Sequence, residues 1–345
     1  MFHVRMDLAV PLLEVTRGGI MESAHRGAVA VADCERLQFT LGDPSWPVYY
    51  RSTSKPIQAI VGITSGAADS FGLTPQEIAL AAGSHSTRPE HVEAARSILD
   101  KAGVPEAALG CGGHYAFDPE FGPKQQAETD TPLRVWSNCS GNHALMLATA
   151  KHLGLPLDTY LHPEHPVQAT IRGHVALLCG LEGPDAVVVG IDGCSAPAFA
   201  VPLGAMALSL ARFGAPEGLP SEVAEATRRI AMAMLEHPNM VGGPGRFDTD
   251  LMVSSAEPLI PKAGAEGVHG VCAPARGLGL AVKAEDGRDR GYRLVVLTVL
   301  ERLGLLAPDE AEGLRTRQCN PRIASRRDED AGRLEVLFDG PTRIA

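Results

Sequence analysis

Arg51-Ser52-Thr53-Ser54-Lys55-Pro56 is the stretch on which the reading of this chain turns. Residues Thr53 to Ala68 have helix-compatible apolar positions, and Pro56 fits a helix only within its first turn, so Ser52 and Lys55 stand at a helix start. Three-residue spacing places both side chains on one face, within reach of each other. A hydroxyl beside an amine is a nucleophile beside its base, provided the lysine loses its proton near neutral pH. Burial and a second cation promote that loss by disfavouring the charged form. The spacing alone is common, and a helix cap with a solvated lysine explains it equally well.

Outward from this stretch, Leu12 to Asp43 alternates apolar and polar residues, with Arg17-Gly18-Gly19 and Asp33-Cys34-Glu35-Arg36 as breaks, which predicts an antiparallel meander. Thr74-Pro75-Gln76-Glu77 joins a capping hydroxyl, a proline at the first helical position and a glutamate three residues after the cap; it predicts a helix over 75–82. Further helices are expected over 89–102, 143–152 and 221–236, whereas 110–130, rich in Gly, Pro and charge, reads as a long functional loop. Residues 186–191 read as a buried strand with 198–202 pairing back on it, and 267–273 and 277–284 as strands before a helix ending near Gly304. Strands toward both ends with helices between define an α+β fold. One catalytic unit is expected, in which 1–50 and 255–310 share a sheet, 51–250 is largely helical and 315–345 is a charged peripheral tail.

With 345 residues, 45% hydrophobic and 21% charged, the chain buries a large core without disulfides. A net charge of −10 gives no attraction for nucleic acid or anionic membrane, and neither is expected as a partner. Seven scattered cysteines fit reduced thiols in the cytoplasm. Arg5 and Asp7 interrupt any apolar run of a signal peptide, and no stretch approaches the roughly 20 apolar residues of a membrane span.

Two later elements strengthen the Ser52–Lys55 reading: Ser84-His85-Ser86 after a predicted helix, and Lys262-Ala263-Gly264 before a predicted strand. Their order is a loose version of the Ser-x-x-Lys, second serine and Lys-Thr/Ser-Gly series of penicillin-recognising acyl enzymes. Such a set supplies a nucleophile, its base, a second hydroxyl to relay a proton and a second cation. Cys139-Ser140-Gly141-Asn142-His143 and Ile191-Asp192-Gly193-Cys194-Ser195-Ala196-Pro197 hold two thiols, an aspartate and a histidine, donors that suit zinc. Neither has the Cys-x-x-Cys spacing of a structural zinc motif, and buried inert cysteines at tight turns explain them as well. The chain has no phosphate-binding loop, no Gly-x-Gly-x-x-Gly after a strand and no Gly-x-Ser-x-Gly elbow.

Taken together, Arg51-Ser52-x-x-Lys55-Pro56, Ser84-His85-Ser86, Cys139-Ser140-Gly141-x-His143, Ile191 to Pro197 and Lys262-Ala263-Gly264-Ala265-Glu266-Gly267 resemble the Rhizobium etli type asparaginases over about Val15 to Gly304. The resemblance implies a fold like the serine β-lactamases and penicillin-binding proteins, a homodimer, and hydrolysis of L-asparagine to L-aspartate and ammonia. By position it makes Ser52 with Lys55, and Ser84 with Lys262, two Ser-Lys tandems, with Ser52 as the nucleophile. It places Arg51, His85, Asn142, His143 and Asp192 around the substrate. It also implies zinc held by two cysteines and a lysine. Cys139 and Cys194 match those cysteines and Asp192 an aspartate nearby, but the lysine position is Asn142, a weakly coordinating amide. No cofactor is required for the acyl chemistry, and the same place suits the substrate's α-carboxylate or α-amino group. The alternatives are an acyl hydrolase of this fold acting on other amides, and an inactive amino-acid or metal-binding relative.

Overall fold

The computed structural model describes residues 8–116 and 118–341, and the chain divides into two compact units. The first comprises the described parts of Met1–Val48, Val201–Ala215 and Asp250–Ala345; the second is Tyr49–Ala200 with Pro216–Thr249. Among the described residues no helix is long and apolar enough to cross a membrane.

The first unit is built on an antiparallel sheet. Its strands run in the order Arg322–Ala324, Asp330–Val336, Val10–Arg17, Ile20–Ala32, Leu278–Ala284, Val268–Ala273 and Ile260–Ala263, and Leu37–Leu41 also pairs with Ile20–Ala32. Ala28 to Ala32 are fully buried, which the small and β-branched run Ala-Val-Ala-Val-Ala permits where both faces of a strand are covered. The helix Leu203–Gly214 crosses this sheet so closely that a Cβ at position 279 would collide with the Ala207 carbonyl; glycine is required there. That helix left no start signal, because it follows Pro202 and no side chain caps it. The 315–345 segment contributes a hairpin to the sheet edge, with Leu13 opposite Val336 and Leu334 buried between exposed charged residues.

The second unit is helical and surrounds Ser140–His152, whose residues are buried from Ser140 to Ala150. A helix buried on all sides belongs at the centre of a unit, and its buried Ser140, Asn142, His143 and Thr149 are each hydrogen-bonded. Pro75–Ala81 and Pro89–Ala102 pack on it, and Gly141 lets Leu80 approach where a Cβ would clash. Two expectations are corrected here. Residues 110–130 contain the helix Phe121–Glu128, with Asp118 Oδ1 accepting the Glu120 and Phe121 amides at 2.9 and 3.2 Å; Gly122 and Pro123 concealed it in the sequence. The strand Val188–Ile191 is exposed rather than buried, with Ile191 83% accessible, because it pairs in its own unit only with the segment after Asp192.

The capping box appears as expected: Glu77 N–H donates to Thr74 Oγ1 at 3.3 Å and Thr74 N–H to Glu77 Oε2 at 2.7 Å. Lys101 Nζ also lies 2.7 Å from the buried Glu77 carboxylate. Burial works to raise the carboxyl's pKa, but the bonds from Lys101, Ser97 and Thr74 hold it below its ordinary value. Its stabilisation is therefore present above the unfolded value of about 4.3 and lost as pH falls through the lower folded value. Glu77→Gln is expected to destabilise the protein by about 1–3 kcal/mol at pH 7, with Lys101 partly solvated. The difference should shrink below about pH 4 in urea titrations of the two proteins.

Candidate active site

Arg51–Ser54 forms a 3-10 turn that passes into the helical segments Lys55–Gln58 and Ile60–Thr64, with Pro56 in the first turn as expected. Arg51 adopts φ 51°, a left-handed conformation unfavourable by about 1 kcal/mol for a residue with a Cβ. Its Nε donates to Asp192 Oδ2 at 2.6 Å. Asp192 begins the turn between Val188–Ile191 and Pro197–Pro202. Its Oδ1 accepts the Cys194 amide at 3.2 Å, its carbonyl accepts the Ser195 amide at 2.9 Å, and Ser195 stands at φ 71°. Burial works to raise the Asp192 carboxyl's pKa, and Arg51 outweighs it and keeps it low.

Lys55 is buried, and its Nζ donates to Ser84 Oγ and Gly83 O at 3.0 Å, Cys139 Sγ at 3.2 Å and Asn138 O at 3.4 Å. Among the described residues no hydrogen bond joins it to Ser52, so the lysine faces the second serine motif rather than its sequence neighbour. The Ser84 strip is held from both sides, by Ser84 N–H donating to Val241 O at 2.7 Å and His85 N–H to Asn138 O at 3.2 Å. Arg51, Ser52, Lys55, Gln58, Asn142, Asp192 and Cys194 line one cleft.

His85 and His143 are buried and are not among the residues that line the cleft. The Thr87 amide donates to His85 Nδ1 at 3.2 Å, so Nε2 carries the proton and donates to Ser140 Oγ at 2.9 Å. Burial first, then the charges of neighbouring groups including Lys55, keep His85 neutral well below its ordinary pKa. His143 Nδ1 meets Tyr160 Oη at 2.6 Å, and burial followed by Lys55 lowers its pKa to about 3. Lys262 belongs to the first unit, buried on the edge strand Ile260–Ala263, with Nζ donating to Ala263 O at 2.8 Å.

Cys139 and Cys194 hydrogen-bond to each other. That bond is the chief cause lowering the Cys139 pKa, burial opposes it and Lys55 adds to it; Cys194 is raised by the same bond and by burial. These residues do not fit zinc. Among the described residues no three His, Cys, Asp or Glu side chains converge as a metal-holding group. Asn142 turns its Nδ2 to Ala81 O at 3.1 Å, Asp192 is committed to Arg51, and Lys55 already supplies a cation at Cys139. Protein stripped of metal, mixed with zinc and desalted is therefore expected to hold no stoichiometric zinc, which elemental analysis checks.

Sequence reasoning passed over Asn138, whose carbonyl accepts from Lys55 and whose Oδ1 lies 3.1 Å from Cys139 Sγ, and Gln58 in the cleft wall. Gln58 stands three residues after Lys55, the spacing of one helix face, and that was the available signal.

The match to a family model indicates an enzyme of the amidohydrolase class, with which the buried lysine, its serine partner and the arginine-carboxylate pair are compatible. The L-asparaginase II family model matches residues 13–336, and the chain belongs to that family. Comparison with curated protein sequences returns no match. Similar solved structures include a β-lactamase from Mycobacterium bovis, 11% identical over 85% of this chain and 95% of that one, TM-score 0.43. A class C β-lactamase is 14% identical over 83% and 89%, TM-score 0.41, and Mglu in its native form is 16% identical over 81% and 64%, TM-score 0.38.

Proposed function

We propose that the cleft hydrolyses the side-chain amide of L-asparagine through a serine ester, giving L-aspartate and ammonia. The observation that supports this reading best is the buried Lys55 Nζ at 3.0 Å from Ser84 Oγ, beside a cleft lined by Ser52. Ser52 Oγ forms a bond to the amide carbon while its proton passes to the neutral form of Lys55. The carbon–nitrogen bond breaks as Ser84 relays that proton to the leaving nitrogen, releasing ammonia. Water then cleaves the ester and returns the proton to Ser52. Arg51 supplies positive charge for the substrate's α-carboxylate, and Asn142 and Asp192 complete the wall. His85 and His143 support the site as neutral hydrogen-bonding groups, bonded to Ser140 and Tyr160. For Lys262 the role of second cation rests on the family resemblance, as does the homodimer, while a cytoplasmic location rests on the seven scattered cysteines.

A second reading, with Ser84 as nucleophile and Ser52 as relay, is favoured by the Lys55–Ser84 bond itself. The test of the function is ammonia release from L-asparagine by metal-stripped protein, with L-glutamine and a panel of other amides in parallel. Release from L-asparagine is expected; release only from other amides would move the substrate assignment, and no release from any would remove the enzymatic reading of this cleft.

A further inference from the structure

The cleft wall contains two side-chain amides whose orientations are settled by their partners. Ser54 Oγ donates its proton to Arg51 O at 2.9 Å, so it has only lone pairs left for Gln58, and the group at 2.9 Å must be the Gln58 Nε2 amine. Ala81 O can only accept, so the Asn142 group 3.1 Å from it must be Nδ2. Both amide nitrogens are thereby occupied. Gln58 Oε1 and Asn142 Oδ1 accept no hydrogen bond from the described residues, although Gln58 is only 8% and Asn142 3% exposed, and both side chains line the cleft. Two carbonyl oxygens on nearly buried side chains, each side chain held through its amide nitrogen, form an acceptor edge for a donor that the protein itself does not supply. Asp192, the carboxylate in this lining, is already paired with Arg51 at 2.6 Å.

We propose that Gln58 Oε1, with Asn142 Oδ1, receives the α-ammonium group of the amino-acid substrate, which makes Gln58 a specificity-determining residue. The inference rests on the asparagine-hydrolase reading and adds to it the group that separates an α-amino acid amide from a plain dicarboxylic monoamide. An ammonium needs acceptors and no compensating charge when its own α-carboxylate is matched elsewhere, the part proposed above for the Arg51 guanidinium, of which Nε is engaged by Asp192 in the pair at 2.6 Å.

The test measures the KM for L-asparagine, and the inhibition constants of L-aspartate and of succinate, which lacks the amino group, for wild type, Gln58→Met and Gln58→Glu. Gln58→Met is expected to raise the KM for L-asparagine and the L-aspartate constant about 10- to 100-fold, with kcat changed far less and the succinate constant near wild type. Gln58→Glu, which keeps an oxygen acceptor, is expected to restore L-aspartate binding. If Gln58→Met loses the wild-type melting transition, Gln58→Ala takes its place with the same read-out. Equal weakening of L-aspartate and succinate, or an unchanged KM, overturns the inference while leaving the asparagine reading intact. Wild-type protein that releases no ammonia from L-asparagine overturns both.

Discussion

Ser52→Ala is expected to lower kcat for ammonia release from L-asparagine by about 10⁴-fold, because an acyl-transfer site without its nucleophile retains only binding and electrostatic contributions. Ser52 is half-buried, lines the cleft and makes no hydrogen bond to Lys55, so the exchange should leave the melting temperature close to wild type. Ser84→Ala is the necessary companion. With Ser52 as nucleophile, Ser84→Ala still forms the ester and accumulates or slowly turns it over, whereas Ser52→Ala forms none. Mass spectrometry of protein quenched during turnover reads the difference, and an ester found on Ser84 in the Ser52→Ala protein would establish the second reading.

Lys55→Met is expected to reduce turnover by about 10³- to 10⁴-fold, with a structural consequence that Ser52→Ala lacks. The ammonium is the shared donor for Gly83 O, Asn138 O, Ser84 Oγ and Cys139 Sγ, and its removal leaves buried acceptors unmet. It also removes a cation that helps lower the Cys139 pKa, after the hydrogen bond from Cys194. Less thiolate should then be present at a fixed pH, which ultraviolet absorbance of the thiolate measures directly. Lys55→Arg separates charge from base: a guanidinium keeps the positive charge but cannot give up its proton, so the thiolate signal is expected to persist while turnover does not return. Recovery of turnover in Lys55→Arg would show that charge alone suffices and would dismiss the lysine as base.

Much of this molecule was legible from its residues. Thr74 to Glu77 announced a helix start, because a capping box is made by groups three positions apart. Pro89 to Gly103 announced both ends of its helix, through a proline at the first turn and a left-handed glycine after the last. The strands around Val29 and Val282 were visible as alternating or β-branched runs. Helices without such punctuation were missed, Leu203–Gly214 and Phe121–Glu128 among them, since burial against a sheet or a cap from Asp118 stabilises them instead.

The candidate site divides along the same line. The residue types were in the sequence, and so was the helix turn that carries Ser52 and Lys55, because one turn of helix is specified by residues within a few positions of each other. Three things required the tertiary structure: that Lys55 meets Ser84, 29 residues away, rather than Ser52; that Cys139 and Cys194 share a proton-bearing contact; and that Gln58 and Asn142, with their amide nitrogens bound to Ser54 and Ala81, line one cleft. Which long side chain meets which distant partner is settled by how the surrounding helices pack and by which polar groups burial obliges to pair, and neither is encoded in local spacing.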